Sequence, residues 1–296
     1  MSDKYLIRFV DLEQGTDEWK QFRKWKIGSS MAASIRGKGF KTPLQTFEDI
    51  IEDKENVTNK AMLHGTITEP KAREWLNKKY RSDLQPVVVQ HPNHEMDWHI
   101  SSIDGLWKRP DGSIFVTEIK CPGRADHQTA LEGNVPEKYL PQCFHILEDL
   151  PGVDKILYFS YRDDNDVAEV WIHRNEYEMH IQFAEELSFF TRLLTCTPPD
   201  PIDKDWVSIY DDSAIARAEE YASLMNQILC LQEQADCLKK ALINNIGTCC
   251  RAKIGELKLQ RVIRQGAVDY SKIEVLKGLD TKPYRKAPII TWRAST

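Results

Sequence analysis

Ser102-Ile-Asp104-Gly-Leu-Trp-Lys-Arg-Pro-Asp-Gly-Ser-Ile-Phe-Val-Thr-Glu118-Ile-Lys120-Cys-Pro122 is the stretch on which the reading of this chain turns. Arg109-Pro-Asp-Gly112 sets Pro and Gly where a tight turn favours them. It lies between two strand-like runs, 98–108 and 113–120, so the sequence predicts a β-hairpin. Side chains alternate faces along a strand, which sends Glu118 and Lys120 to the same side. Ile114, Phe115, Val116 and Ile119 supply apolar surroundings. Asp104, on the preceding strand, comes alongside Glu118. Two carboxylates and an ammonium then converge where Cys121-Pro122 ends the strand.

Outward from the hairpin the pattern is mixed α/β. Thr16-Asp-Glu-Trp19 opens a helix running through Arg23. A second helix is predicted over 69–80, with Pro70 in its first turn, where the missing N–H costs little. Val87-Val-Val89 reads as a short strand, 139–150 as a helix, 156–161 and 167–173 as strands, and 176–194 as a helix. That order predicts a central sheet flanked by helices. Cys196-Thr-Pro-Pro-Asp-Pro201 is tolerated by neither helix nor central strand. It divides the chain into residues 1–195, a linker 196–206, and an extension 207–296. The extension opens with an amphipathic helix over 213–246, carrying Ala218, Tyr221, Ala222, Met225, Ile228, Leu229, Gln232, Ala235, Leu238, Ala241 and Leu242 at three-and-four spacing with one polar break. Such a stripe serves packing, oligomerisation or a coiled coil. Strand-like pieces follow at 256–263 and 287–292. Trp19, Trp25 and Trp75 read as core packing rather than base-stacking residues.

Composition excludes several classes. Of 296 residues, 41% are hydrophobic and 29% charged, the ordinary globular mixture rather than a disordered or collagen-like one. No apolar run approaches the roughly 20 residues of a membrane span, and the N-terminus lacks the apolar segment of a secretory signal. Seven scattered cysteines suit reduced thiols in a cytoplasmic protein. Charge is uneven: residues 247–296 hold 11 Lys+Arg against 4 Asp+Glu, although the whole chain carries −5. An acidic body with a basic tail permits a polyanionic partner on one surface without requiring one.

The converging carboxylates suit phosphodiester hydrolysis. Mg²⁺ prefers hard oxygen ligands, which Asp104, Glu118 and the Ile119 carbonyl supply. A bound cation lowers the pKa of its water and stabilises negative charge on phosphorus. Lys120 would orient or deprotonate the attacking water, provided its surroundings lower its pKa. Taken alone, Glu-x-Lys on a strand is ordinarily an exposed ion pair; the upstream Asp-Gly, the turn and the Cys-Pro stop favour the site.

Four segments in order resemble the lambda exonuclease / YqaJ-like viral recombinase family, a branch of the PD-(D/E)xK nucleases. They are Gln14-Gly-Thr-Asp-Glu-Trp19 with Arg23 and Ser30; Lys60-Ala-Met62 through Gly65, Glu69 and Ala72-Arg73; Asp104-Gly with Glu118-Ile-Lys120-Cys-Pro; and Tyr139-Leu-Pro-Gln142. The family usually has Pro before its first aspartate, where Ile103 stands here. The resemblance covers roughly residues 12–195 and implies a restriction-endonuclease-like core. It implies that Asp104 and Glu118 are metal ligands, joined by the Ile119 carbonyl, that Lys120 is the water-activating base, and that Glu69 assists the metal site. Gln142 would help hold the water or the scissile strand. Arg23 and Ser30 would bind a 5′ phosphate, Lys60 the DNA backbone, and Met62 would be the wedge that parts the terminal base pairs, an alternative for Met62 being core packing.

The function so implied is a Mg²⁺-dependent 5′→3′ exonuclease acting on linear double-stranded DNA and leaving 3′ tails for strand annealing. Two ions are expected, with Mn²⁺ a possible substitute. The resemblance further implies a homotrimer, a single-strand annealing protein as partner, and a phage or prophage gene acting in the bacterial cytoplasm. The alternatives are an endonuclease or repair nuclease with the same metal core, and a DNA-binding protein on a degenerate nuclease fold. An iron–sulfur relative would need four spaced cysteines that Cys121 and Cys143 do not provide. His64, His91, His94, His99 and His145 lack zinc-site spacing and read as solvent or core histidines.

Overall fold

The structure is a computed structural model that describes residues 6–54 and 59–263. The chain divides into two units, Met1–Trp206 and Val207–Thr296. The elements of the first run β1 (Arg8–Val10), α1 (Asp17–Arg23), β2 (Ile27–Gly28), α2 (Ala32–Ile35), α3 (Pro43–Ile51), α4 (Lys60–Tyr80), β3 (Gln85–Gln90), β4 (His99–Lys108) and β5 (Ile114–Lys120). They continue with α5 (Arg124–Leu131), α6 (Leu140–Asp149), β6 (Lys155–Asp163), β7 (Asp166–His173) and α7 (Glu176–Thr195). The second unit holds α8 (Asp212–Ile246) and an antiparallel ribbon of β8 (Arg251–Ile254) and β9 (Leu257–Gln260). Among the described residues no helix is long and apolar enough to cross a membrane.

The first unit is a mixed sheet between helices, ordered β1-β3-β4-β5-β6-β7, with β2 joined to β4. Among the described residues only the β2–β4 and β5–β6 pairs are parallel. Alternation along the strands feeds two apolar layers. Val89, Ile103, Val116 and Tyr158 pack with Cys143, Ile146 and Leu147 of α6. Phe115, Ile119, Leu157 and Phe159 pack with Ala72 and Leu76 of α4, and Trp75 joins them. Trp25 lies against a third cluster built on Ile27, Phe47, Trp98 and Phe189.

The expected hairpin is present as β4 and β5, closed where Arg109 N donates to Ser113 O at 2.8 Å. Gly112 takes the positive φ of 81° that the turn requires. One helix differs from expectation. α4 begins at Lys60, so Pro70 sits in its interior rather than its first turn. The start is fixed upstream by Asn59, whose side chain accepts from Met62 N at 2.9 Å. The lost bond falls on the Thr66 carbonyl, and both Thr66 and Pro70 are exposed, where water can serve it. The predicted strand at 256–263 corresponds to β9, paired with a β8 that the sequence reading lacked; 287–292 lies outside the described residues.

The feature that positions the site is an irregularity in β4. β3 pairs Gln85 with Leu106 but Val87 with Ile103, so β4 carries one extra residue between those pairs. This is a bulge at Asp104-Gly105. Its freed backbone groups are met by side chains: Gln14 Nε2 donates to Val87 O at 3.1 Å and Ile103 O at 3.3 Å. Arg73 Nε donates to Asp104 O at 2.6 Å. A Cβ at Gly105 would lie 2.7 Å from Thr117 Cγ2 and 3.3 Å from Leu84 Cβ. Thr117 is fully buried and donates its hydroxyl to Leu157 O at 3.0 Å, so it has little room to yield. Gly105→Ala is expected to destabilise the protein by about 1–3 kcal/mol through overpacking. The reading is a lower urea midpoint at unchanged slope; a midpoint equal to wild type would contradict the close approach.

Candidate active site

The β4–β5 ladder stops at the Gly105–Thr117 pair. Beyond it the Ile119 N–H is taken by the Asp104 side chain, whose Oδ2 accepts at 2.8 Å. In an extended strand a residue's N–H and C=O point to the same edge, so the Ile119 carbonyl also faces β4 where the ladder has ended. Asp104 is half-buried and Glu118 fully buried. Lys120 Nζ donates to Glu118 Oε1, while Glu118 Oε2 is buried without a hydrogen-bond partner. Glu69 comes in from α4 and is ion-paired with Arg73, which also holds the bulge. Asp104, Glu118, Lys120 and Glu69 are thus brought together.

Three carboxylates here face two cations, and their acidities register the deficit. Burial and the neighbouring Asp104 push Glu118 up to about 8 despite Lys120. Glu69 is raised to about 7 by burial and Asp104, against Arg73 and Lys120. Asp104 is raised by burial, opposed by Lys120 and the Ile119 N–H. Lys120 differs from the sequence expectation. Burial works against its charge, yet Glu118 and Asp104 outweigh burial and raise its pKa, so in the protein alone it is a cation rather than a free base. A hard divalent cation fits this donor set: the orphaned Glu118 oxygen, the Asp104 carboxylate and the inward carbonyl are oxygen ligands of the kind Mg²⁺ takes.

The other predicted residues lie around this cluster. Gln142 is half-buried in the first turn of α6. The adjacent Cys143 is buried and its thiol is pushed well up by burial and by Glu118, which puts this turn beside the carboxylates. Arg23 ends α1, with its guanidinium 4.3 Å from the Trp19 ring centre. The Trp19 indole N–H donates to Ser102 Oγ at 3.2 Å, two residues before Asp104. Burial lowers the Arg23 pKa, and among the described residues no carboxylate pairs with it. Gly28 makes room for that guanidinium, since a Cβ there would lie 3.2 Å from its Nη2. Exposed Ser30 follows in the turn after β2. Lys60 and Met62 stand in the first turn of α4, about 10–14 Å along the helix from Glu69 at ~1.5 Å per residue. Met62 is 46% exposed, so it is not core. Gln14 and Arg73 carry roles that the sequence reading did not assign, although both stand inside the quoted segments.

His99 and His145 are core histidines. His99 Nδ1 meets Asp149 Oδ1 at 2.6 Å and its Nε2 meets Glu186 Oε2 at 3.0 Å. His145 Nδ1 meets Glu186 Oε1 at 3.0 Å, and its Nε2 donates to Ile100 O at 3.0 Å. The ligand atoms of His99, His145 and Glu186 lie within 4.8 Å of one another, close enough for one metal ion. The two rings, however, stack with centroids 3.6 Å apart at 8° and address different oxygens of one carboxylate. Parallel rings cannot both aim an in-plane lone pair at a single ion, whereas they can both donate N–H to a carboxylate. The arrangement is a hydrogen-bonded ionic network.

Residues 18–148 match the family model of the YqaJ-like viral recombinase domain. Two crystal structures of an alkaline exonuclease, LHK-Exo from Laribacter hongkongensis, share the fold, one of them a complex with dAMP. Each is 23% identical and aligns over 62% of this chain and 94% of its own, with TM-scores of 0.54 and 0.53. No curated protein matches the chain. The family match and the shared fold agree with the resemblance drawn from the sequence, and with the central sheet flanked by helices.

The histidine network predicts a pH signature. His99 is fully buried, and its pKa is raised to about 10: burial lowers it, but Asp149 and Glu186 more than reverse that. The stabilisation is therefore fully present below about pH 6.5, the unfolded value, and fades as pH rises through 10. Urea unfolding at pH 6.5 and pH 10 is expected to show a drop in wild-type stability of several kcal/mol that shrinks in His99→Asn. An equal drop in both proteins would contradict the assignment.

Proposed function

We propose that the protein is a divalent-metal-dependent 5′→3′ exonuclease that degrades one strand of linear double-stranded DNA. The observation that carries this reading is the convergence of Asp104, Glu118, Lys120 and Glu69 around a buried carboxylate oxygen without a partner. The YqaJ-like match over residues 18–148 and the fold shared with an alkaline exonuclease support it.

Asp104, Glu118 and the Ile119 carbonyl would hold the cation, Mg²⁺ or Mn²⁺, with Glu69 adding charge from α4 and room for two ions. A cation there supplies Lewis acidity to the scissile phosphate and opposes the negative charge that builds in the transition state. Lys120, a cation in this setting, donates to the attacking water or to a phosphate oxygen and orients it. Glu69, raised to about 7 by burial and Asp104 in the ion-free protein, would give up its proton as the cation binds and then stand beside it as a carboxylate. Gln142, beside Cys143 on α6, completes the wall that holds the water or the scissile strand.

Arg23 supports an end-binding role. It is a guanidinium withdrawn from water and without a carboxylate partner, with the exposed Ser30 hydroxyl in the following turn. A fork of donors and a hydroxyl suit a 5′-phosphate dianion. Lys60 meets the backbone, and Met62, exposed with Leu63 and Ile67 on α4, unstacks the terminal pair for a few kcal/mol. A homotrimer around the duplex and an annealing protein taking up the 3′ tail complete the proposal, as does a phage or prophage gene acting in the bacterial cytoplasm.

The test is a linear duplex labelled on one strand, carrying a 5′ phosphate or a 5′ hydroxyl, with a closed circle as control. Wild type with Mg²⁺ should remove the 5′-phosphorylated strand and spare the circle. Lys120→Ala should slow cleavage by about 10²-fold or more. Arg23→Ala should reduce the preference for the phosphate by roughly 10-fold or more, the worth of a charged hydrogen bond. Cutting of the circle would mean an endonuclease, and no cleavage with either Mg²⁺ or Mn²⁺ would mean a degenerate site. The acidities add a second expectation. Glu69 and Glu118 bind a cation only when ionised, so Mg²⁺ affinity should rise from pH 6 to pH 9 with release of protons on binding. Calorimetry in buffers of different ionisation heat reads this, and pH-independent binding would refute it.

A further inference from the structure

Helix α8 of the second unit carries a feature that the nuclease reading leaves unused. Tyr221, Leu224, Ile228, Leu231, Ala235, Leu238 and Leu242 follow one another by alternating steps of three and four. This is heptad spacing, with Leu224, Leu231 and Leu238 at successive d positions and Ile228, Ala235 and Leu242 at a. The seam is open to solvent: Tyr221 is 47% exposed, Leu224 51%, Ile228 54%, Leu231 63% and Leu238 67%. The outermost f positions are polar, Glu219, Asn226, Glu233 and Lys240. An apolar row of this length on a monomer surface calls for cover.

The flanking residues indicate what covers it. In a parallel, in-register pair each g position meets the e position of the next heptad on the other chain. Those pairs are Glu220 with Met225, Gln227 with Gln232, Gln234 with Lys239, and Ala241 with Ile246. None sets like charges together, and two amides that can bond each other sit at the centre. Ile228, the one β-branched residue among the a positions Tyr221, Ile228, Ala235 and Leu242, stands between Leu224 and Leu231 at d, the combination that favours two strands. Cys230 and Cys237 fall at c, away from the seam, so no disulfide is needed.

We propose that α8 is a self-association helix, which pairs in parallel register with α8 of a second copy of this chain. Leu224, Leu231 and Leu238 each meet their own counterpart. The proposal does not rest on the nuclease reading and survives its failure.

Light scattering after size exclusion on the full chain tests it. Wild type is expected to have about twice the mass of Leu231→Asp/Leu238→Asp: a dimer against a monomer, or a hexamer against a trimer where the first unit forms the proposed homotrimer. Glu233→Ala, at an f position, should keep the wild-type mass. Wild type and the double variant at one common mass would overturn the proposal. As a check that does not depend on a disrupted helix, oxidised Leu231→Cys should give a linked dimer on a non-reducing gel well above the background from native cysteines. Glu233→Cys should not. Equal linkage at both positions would also overturn it.

Discussion

The bulge at Asp104-Gly105 is the constraint from which the rest of the site follows. One extra residue in β4 breaks the ladder with β5 just where Asp104 stands, and it frees backbone groups that must find partners. Gln14 takes the carbonyls of Val87 and Ile103, Arg73 takes that of Asp104, and Asp104 itself takes the Ile119 N–H. Each of these bonds fixes an element. Gln14 ties in the segment leading to α1, Arg73 ties in α4 with Glu69, and Asp104 holds the end of β5 with Glu118 and Lys120. The close approach at Gly105 leaves no space for a side chain that would spread the strands.

Two buried charge clusters in this unit differ in a way that assigns them different work. Around His99 and His145, every ring nitrogen meets an acceptor, and Glu186 is held down to about 2 despite burial by His145 and His99. That network is internally matched and ties β4 to α6 and α7. Around Glu118 the match fails. Burial raises all three carboxylates, one buried oxygen has no partner, and Lys120 and Arg73 fall short of neutralising them. A cluster short of positive charge, built of hard oxygens at the open end of a strand pair, is arranged to receive a cation.

Much of this was legible because it depends on local pattern. The turn at Arg109-Pro-Asp-Gly112 announces the hairpin, and the period of two places Glu118 and Lys120 on one face. The β-branched runs and the amphipathic stretches mark β6, β7, α7 and α8. What escaped depends on partners distant in sequence. Nothing near Asp104 encodes an extra residue relative to β3, and nothing near Gln14 or Arg73 says which carbonyl each will meet. The capping box of Thr42 and Gln45 was a readable signal for α3; β1 and β2, of three and two residues, are too short to show a period. The raised pKa of Lys120 follows from three-dimensional crowding of carboxylates, which no spacing rule contains.

The most direct measurement of the central claim is the position of a bound ion. Crystals soaked in Mn²⁺ should give an anomalous peak among the Asp104 carboxylate, the free Glu118 oxygen and the Ile119 carbonyl, with the histidine network undisturbed. A peak lodged between His99, His145 and Glu186, or an intact fold that takes up no ion at all, would contradict the account.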